Sequence, residues 1–284
     1  MNQAHNLESL MKNNKKTTAK FIAITSGKGG VGKSNFSANL AYCLSKIGYK
    51  IGIFDADIGL ANLDLIFGVK TDKNILHALK GEVSFKEAIY KIDENLYLIP
   101  GDSGEEILKY ANTYTMNDFA NDMEIWNFFD YVVVDTSAGS SALNQAFLQA
   151  SDYIIVITTP EPSSKTDAYA MLKVSAKFKK ECMVVINMAN SQTQIKQVFT
   201  TIEYVAQKNI PHFTLEFLGG FTYNDAVKKA ILQRKLICKV EPLNIFSTTM
   251  QGVAKNLISK VEHNMLNHSK KSMGGFLKKL IGYL

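Results

Sequence analysis

A glycine-rich segment near the start of the chain, residues 27–34, carries two lysines and reads GKGGVGKS. Glycines let the backbone approach a phosphate, and successive N–H groups at the start of a helix form a cradle for an anion. Lys33 can reach the β- and γ-phosphates of a nucleotide, and the Ser34 hydroxyl can hold Mg²⁺. The predicted nucleotide-binding residues of this segment are Gly27, Lys28, Gly29, Gly30, Val31, Gly32, Lys33 and Ser34.

The segments on either side decide whether these residues form a phosphate-binding loop. Phe21–Thr25, before the glycines, is typical of a buried strand, and Asn35–Ile47, after them, is typical of a helix. Strand, glycine loop, Lys-Ser pair and helix together predict a P-loop. Because such a loop needs only one lysine, Lys28 is either a further functional group or a side chain exposed to solvent.

Three aspartates follow strands that are expected to lie beside the P-loop strand. Asp55 and Asp57 come after Lys50–Phe54, and Asp135 comes after Tyr131–Val134. One of the first two carboxylates can hold Mg²⁺ through water while the other orients an attacking water, and Asp135 is predicted to hold the Mg²⁺ water shell. For Asp55 alone, a helix cap or a surface turn is the alternative. The predicted metal-site residues are Ser34, Asp55 and Asp135.

Strand-like and helix-like segments alternate along the rest of the chain. Further apolar runs predicted as strands are Leu96–Ile99, Tyr153–Thr158, Cys182–Ile186 and Phe213–Leu218. Segments predicted as helices are Ser84–Tyr90, Glu105–Asn112, Met116–Asn127, Ala142–Gln149, Thr166–Lys179, Gln192–Gln207 and Ala226–Arg234. This alternation predicts a doubly wound α/β fold with a mostly parallel sheet flanked by helices, and ligand binding at the carboxyl ends of the strands.

Composition excludes several classes of protein. A chain of 284 residues with 46% hydrophobic and 20% charged residues can bury a sizeable core. No apolar run approaches the ~18 residues of a membrane span and no signal peptide is recognised, so a cytoplasmic protein is expected. The cysteines Cys43, Cys182 and Cys238 form no CxxC pair, which argues against a zinc site. The formal charge of +6 favours contact with acidic surfaces.

The glycine loop and the two aspartate segments resemble the deviant P-loop signature of the MinD/ParA family of ATPases, over about residues 20–260. The resemblance implies an ATP- and Mg²⁺-dependent homodimer in which Lys28 contacts the nucleotide phosphates of the other subunit. It also implies that Asp57 supports the attack of water, so that Lys28 and Asp57 are the predicted catalytic residues. Within this family, Ser137 stands where proline is frequent.

The same resemblance assigns a residue to the base of the nucleotide. Asn187 follows the predicted strand Cys182–Ile186 and matches the family asparagine that contacts adenine. Met188 stands next to it, where the family often has arginine.

The end of the chain, residues 273–284, has the pattern of a short amphipathic helix. At ~100° per residue its apolar side chains share one arc, and Lys278 and Lys279 flank it. The apolar residues of this arc are Phe276, Leu277, Leu280, Ile281, Tyr283 and Leu284. Such a segment is typical of a helix lying on an anionic membrane surface, and two copies in a dimer would increase avidity. Docking on the protein's own core is the alternative.

The start of the chain resembles the N-terminal motif of the flagellar-number ATPases of the FlhG group, which acts on the signal-recognition-type GTPase FlhF. Gln3, Ala4 and Leu7 match this motif, whereas Asn2 replaces aspartate and Glu8 replaces arginine. A disordered tail is the alternative. The expected division of the chain is a partner-binding extension (residues 1–19), an ATPase domain (20–262) and a membrane-targeting segment (263–284).

These features favour an ATPase switch in the cytoplasm that binds reversibly to the inner face of the cell membrane and controls flagellar number or placement. The expected partners are a second copy of the chain, FlhF, flagellar switch or basal-body proteins and the anionic membrane surface. Selection of the division site by a MinD-type ATPase is the alternative role. DNA partition of the ParA type is disfavoured by the amphipathic end, so DNA is not an expected partner. A metal-cluster carrier would need paired cysteines, and a scaffold with negligible turnover would not need Asp57.

Overall fold

A computed structural model describes residues 19–57, 62–102, 128–178 and 181–265, and these residues build one sheet of eight strands. The strand order is β3-β4-β2-β5-β1-β6-β7-β8. The strands are β1 (Lys20–Ser26), β2 (Ile51–Ala56), β3 (Tyr90–Asp93), β4 (Leu96–Ile99), β5 (Tyr131–Ala138), β6 (Tyr153–Thr158), β7 (Glu181–Ala189) and β8 (Thr214–Thr222). Neighbouring strands are parallel except at one edge, where β3 pairs antiparallel with β4.

Helices cover both faces of the sheet. The α-helices of the described ranges are α1 (Lys33–Ile47), α2 (Leu63–Phe67), α3 (Ile75–Leu79), α4 (Ala142–Ala150), α5 (Pro162–Ser175), α6 (Gln192–Asn209), α7 (Asp225–Leu232), α8 (Ile237–Val240) and α9 (Ile245–Met265). Side chains of α1, α8 and α9 pack together against one face, and those of α4, α5 and α6 pack against the other.

The central strands are largely apolar because both of their faces are buried. In β1, Ile22 and Ile24 belong to the core on the α1 face, whereas Phe21 and Ala23 belong to the core on the opposite face. A strand in contact with helices on both sides cannot show the alternating pattern of a half-exposed strand. The predicted doubly wound, mostly parallel α/β fold is therefore confirmed.

Some element predictions were wrong. The helix expected over Ser84–Tyr90 is a single 3₁₀ turn, Phe85–Ala88, because the Ser84 and Glu87 side chains and backbone cap one another and close only one turn. Tyr90 instead begins β3, opposite Leu98 of β4. Helix α5 begins at Pro162, four residues before the predicted start, since proline suits the first position of a helix. Neither β3 nor the long α9 was predicted.

Other predictions fall outside the residues that the structure describes. These are the helices at 105–112 and 116–127, the N-terminal motif and the amphipathic segment at 273–284. Within the described ranges, no helix combines the length and the apolar character that crossing a membrane requires.

Candidate functional site at the carboxyl edge of the sheet

The glycine loop connects β1 to α1, at the carboxyl edge of the sheet. Gly30 and Gly32 have positive φ angles of 80° and 88°, a region that favours glycine, and Gly32 is the residue that caps α1. A side chain at Gly27 would overlap the main-chain carbonyl of Asp167 in α5, so this end of the loop lies directly against that helix. A side chain at Gly29 would meet nothing within 4 Å, so the middle of the loop faces open space.

Lys33 lies at the base of the loop between two of the predicted aspartates. Its side chain is buried, with 8% exposed, and its Nζ lies 3.5 Å from Asp135 Oδ1 and 3.7 Å from Asp57 Oδ2. The structure thus brings together three residues that are separated by many positions in the sequence. The negative charges of the two carboxylates compensate the positive charge of the buried Lys33 ammonium.

Asp135 is buried and its two carboxylate oxygens have different surroundings. Oδ1 accepts a hydrogen bond of 2.8 Å from the Ser37 hydroxyl, whereas Oδ2 has no hydrogen-bond partner among the described residues. Burial raises the pKa of Asp135, against the opposing effects of the Lys33 ammonium and of the Ser34 and Ser37 hydroxyls. A buried carboxylate oxygen without a partner, beside the Ser34 hydroxyl, fits a hydrated Mg²⁺, which prefers oxygen ligands and keeps several waters.

Asp55 is buried in the same region, but its oxygens are already engaged. They accept hydrogen bonds from the backbone N–H groups of Asp57, Asn62 and Leu63, at 3.3, 3.0 and 3.1 Å. Burial raises the pKa of Asp55 to about 7, although these hydrogen bonds lower it. Asp55 therefore fixes the backbone on both sides of the segment that follows β2, including the backbone of Asp57. Its predicted contact with the metal's water shell stays a prediction.

Lys28 contacts α5 of its own subunit. Its Nζ lies 2.6 Å from Glu161 Oε2 and donates a hydrogen bond of 3.0 Å to Ser163 Oγ. All three groups are at the surface, and 40% of the Lys28 side chain is exposed. In the single subunit, Lys28 is thus paired and accessible rather than inserted among the residues that surround Lys33.

Asn187 lies at the other end of the loop, near the end of β7. Its Nδ2 donates a hydrogen bond of 2.8 Å to the main-chain oxygen of Val31. A side chain at Gly32 would lie 2.6 Å from this Nδ2, so the loop and Asn187 need the absence of a Cβ there. Asn187 therefore positions the loop from the side, next to the space that a nucleotide base would enter.

Two neighbouring cavities surround these residues. A cleft of about 550 Å³ contains the phosphate loop and is lined by Lys28, Lys33, Asp57 and Arg234 among others. A smaller groove of about 230 Å³, lined mainly by apolar groups, begins at Asn187. Its walls include Met188, Tyr223, Val227 and Ile231. The first cleft carries charged groups around the glycine loop and is continuous with the apolar groove, which matches the shape and chemistry of a nucleotide, with its phosphates in the first and its base in the second.

Several of these residues were missed at the level of sequence. Ser37 follows Lys33 by one helical turn, and this spacing could have placed its hydroxyl beside Asp135. Nothing in the local sequence around Tyr223 indicated that it lines the apolar groove. The segment Thr158–Tyr169, which contains Glu161, resembles the family and was expected near the dimer face, but its contact with Lys28 was not predicted. Cys43, Cys182 and Cys238 are buried, as expected for core residues. In the described ranges, no group of three or more His, Cys, Asp or Glu side chains is arranged to hold a metal ion.

Comparison with known proteins places this chain in a family. A family model described as ParA: NUBPL iron-transfer P-loop NTPase matches residues 17–258. The flagellum site-determining protein YlxH of Helicobacter pylori is 48% identical over the whole of this chain and 99% of its own length.

Solved structures agree on the fold. A chain of the MinC:MinD cell division protein complex of Aquifex aeolicus is similar with a TM-score of 0.68 and 26% identity, over 85% of this chain and 96% of that chain. The septum site-determining protein MinD of Pyrococcus horikoshii, complexed with Mg-ADP, has a TM-score of 0.66 at 22% identity, over 86% and 97% of the two chains. The chain therefore belongs to the ParA family of ATP-hydrolysing P-loop NTPases and is a close homologue of the flagellum site-determining protein YlxH.

Proposed function

We propose that this protein is an ATP-dependent switch that dimerises, binds the inner face of the cell membrane and controls the number or placement of flagella. The observation that carries the proposal is the position of Lys33, between Asp57 and Asp135 at the base of the glycine loop. The similarity to YlxH along the full chain supports the flagellar role.

The residues around Lys33 have distinct roles in binding and hydrolysing ATP. Lys33 exchanges its carboxylate contacts for the β- and γ-phosphates, and the loop N–H groups bind the remaining phosphate oxygens. The Ser34 hydroxyl and the unpartnered Asp135 Oδ2 would hold Mg²⁺ and its water shell. The ion, when bound, would supply positive charge that neutralises the developing charge on the phosphates. Asp57, released from Lys33, orients the attacking water.

Dimerisation depends on Lys28, in agreement with the family resemblance. To reach the phosphates of a partner subunit, Lys28 has to leave Glu161 and Ser163. An exposed ion pair contributes only about 0–1 kcal/mol, so a triphosphate easily outcompetes it. ATP binding thereby favours the dimer, and hydrolysis with loss of the γ-phosphate favours the separate subunits.

The two terminal segments bind the dimer to the membrane and to its partner proteins. The basic amphipathic segment 273–284 binds anionic lipid, and two copies held in one dimer bind more tightly than one. The N-terminal residues 2–11 bind the GTPase FlhF, and flagellar switch or basal-body proteins are the further partners. DNA is not among the proposed partners.

One experiment tests the switch. Full-length protein is incubated with Mg²⁺ and either ADP or a slowly hydrolysed ATP analogue, its mass is measured by light scattering, and its binding to anionic vesicles is measured by flotation. We expect a monomer that stays in solution with ADP, and a dimer that floats with the ATP analogue. Equal mass and equal flotation with both nucleotides would overturn the proposal.

A second experiment separates the flagellar role from the alternative role in division-site selection. Full-length protein and protein lacking residues 2–11 are used to retrieve partners from cell extract. We expect a signal-recognition-type GTPase or flagellar switch proteins with the full-length protein alone. Retrieval of division inhibitors instead would assign the protein to division-site selection.

A further inference from the structure

The chain has a single arginine among its 32 basic residues, and this residue lines the nucleotide cleft. The other 31 basic residues are lysines. Arg234 lines this cleft together with Leu65 and Ile66 of α2. Arginine differs from lysine in its planar fork of N–H donors, which suits two oxygens of a phosphate at once.

Arg234 occupies a backbone position that favours glycine. Helix α7 ends at Leu232, and the chain then turns through a pair of hydrogen bonds, Arg234 N–H to Ile231 O and Lys235 N–H to Ala230 O, both 2.9 Å. This is the Schellman ending of a helix, in which the residue at the place of Arg234 is left-handed and is usually glycine. Arg234 has a φ of 53°, so a residue other than glycine at this position carries a local conformational cost.

Arg234 differs from the two lysines of the cleft in having no acidic partner among the described residues. Lys28 is paired with Glu161, and Lys33 lies between two aspartates. By contrast, the Arg234 guanidinium forms no ion pair or side-chain hydrogen bond with any residue in the described parts of the chain. An exposed cation on the wall of an anion-binding cleft is already available for a ligand.

The backbone around Arg234 is anchored while its side chain is not. Besides its two hydrogen bonds, the turn lies against the end of α2, where a side chain at Gly68 would lie 3.9 Å from Arg234 O. Helix α8, which follows, is held to α1 by the hydrogen bond from Cys238 N to Asn39 Oδ1, at 3.1 Å. The turn is therefore a fixed support for an exposed cationic side chain beside the cleft.

We propose that the Arg234 guanidinium binds the phosphate chain of the nucleotide held in the cleft of its own subunit. It is a third cationic contact beside Lys28 and Lys33, and it comes from the α7–α8 turn. This inference rests on the proposed function as an ATP-binding switch, because it requires a nucleotide in that cleft.

The test compares nucleotide affinity with stability in three variants. Arg234→Gly removes the guanidinium and relieves the left-handed strain, Arg234→Lys keeps the charge without the fork, and Lys235→Ala removes the neighbouring exposed charge as a matched control. Affinity for ADP and for a slowly hydrolysed ATP analogue is measured by calorimetry at two salt concentrations, and the melting temperature is measured without nucleotide.

We expect Arg234→Gly to bind both nucleotides about tenfold more weakly, with less sensitivity to salt, and to melt at the same or a higher temperature. Arg234→Lys should be intermediate, and Lys235→Ala should bind like the wild type. Unchanged affinity in Arg234→Gly, a lowered melting temperature, or a loss confined to the ATP analogue would overturn the inference. Failure of the wild-type protein to bind ADP would instead refute the proposed function itself.

Discussion

The Lys28 ammonium and the Glu161 carboxylate form an ion pair of 2.6 Å that joins the phosphate loop to the start of α5 within one subunit. These residues are 133 positions apart in the sequence. The pair holds the distinctive lysine of the loop at the protein surface, beside the cleft that contains Lys33. A lysine held there by one exposed carboxylate can be transferred to a stronger anion at little cost.

Replacing Lys28 should abolish ATP-dependent dimerisation while leaving the stability of the fold nearly unchanged. In Lys28→Ala we expect the ATP-dependent dimer and ATP turnover to be lost, while the free energy of unfolding changes by less than about 1 kcal/mol because the pair is exposed. Light scattering, a turnover assay and urea denaturation measure these three quantities. Lys73→Ala is the matched control, because it removes a comparable exposed pair with Glu87 outside the loop. Normal dimerisation of Lys28→Ala with ATP would contradict the role across the subunits.

Asp57 is expected to act on water rather than to hold ATP. Asp57→Asn should reduce turnover by at least about a hundredfold, as is typical for the loss of a group that assists proton transfer or water attack. ATP binding should be retained or tighter, because the change removes a negative charge 3.7 Å from the Lys33 ammonium. Turnover and the dissociation constant are measured on the same preparation. Asp64→Asn serves as the control, and turnover of Asp57→Asn at the wild-type rate would refute the assignment.

Asp55 should make the nucleotide-free protein less stable as the pH rises. Burial raises its pKa from 3.8 to about 7 in the folded protein, so the proton is held more tightly in the folded state than in the unfolded state. The resulting stabilisation is complete below about pH 4 and is lost as the pH rises towards 7.

Asp55→Asn lacks this titration. The difference in free energy of unfolding between Asp55→Asn and the wild type should therefore grow in favour of the variant, by roughly 1.4 kcal/mol for each pH unit in that window. Urea denaturation without Mg²⁺ or nucleotide, at several pH values from 4 to 8, gives this difference and cancels the titration of the other groups. A difference that does not change with pH would show that Asp55 has an ordinary pKa.

Two glycines of the loop should respond differently to the same substitution. Gly27→Ala places a methyl group on the main-chain carbonyl of Asp167, which cannot move without shifting α5, so a loss of about 1–3 kcal/mol is expected. Gly29→Ala places its methyl group in open space, and its effect on stability should stay within about 0.5 kcal/mol. Chemical denaturation of the nucleotide-free variants measures both effects. Equal losses would mean that the loop does not pack on α5 as the structure has it.

The parts of the site that could be predicted from sequence are those with a local pattern. The glycine loop has its strand and helix directly beside it, and Asp57 and Asp135 each follow an apolar strand, so parallel pairing was enough to bring them to Lys33. The contacts that were missed join distant segments. Glu161 meets Lys28 only because α5 packs against the loop at Gly27, and that contact depends on the position of a whole helix.

The errors in the fold have a similar cause. The segment Ser84–Tyr90 has the capping residues of a helix, but Tyr90 is recruited by β4, and pairing with a strand outweighs a weak local propensity. Arg234 was predicted as the last residue of the helix Ala226–Arg234, and nothing in that pattern indicated a functional role. Its significance depends on the end of α7 at Leu232 and on the left-handed turn that follows, which the side-chain pattern does not specify.

The amphipathic segment 273–284 should be required for membrane binding but not for dimerisation. Removal of residues 273–284 should abolish flotation with anionic vesicles while the ATP-dependent dimer still forms, because the membrane contact requires a segment separate from the nucleotide cleft. Replacing Phe276 and Leu280 together by aspartate should have the same effect, since both lie on the apolar arc that would enter the lipid. Replacing Ser269 and Ser272 by aspartate is the control, because it adds the same two negative charges just before this segment without altering the arc. Flotation that survives the deletion, or that is lost equally in the serine control, would show that the amphipathic segment is not the membrane anchor.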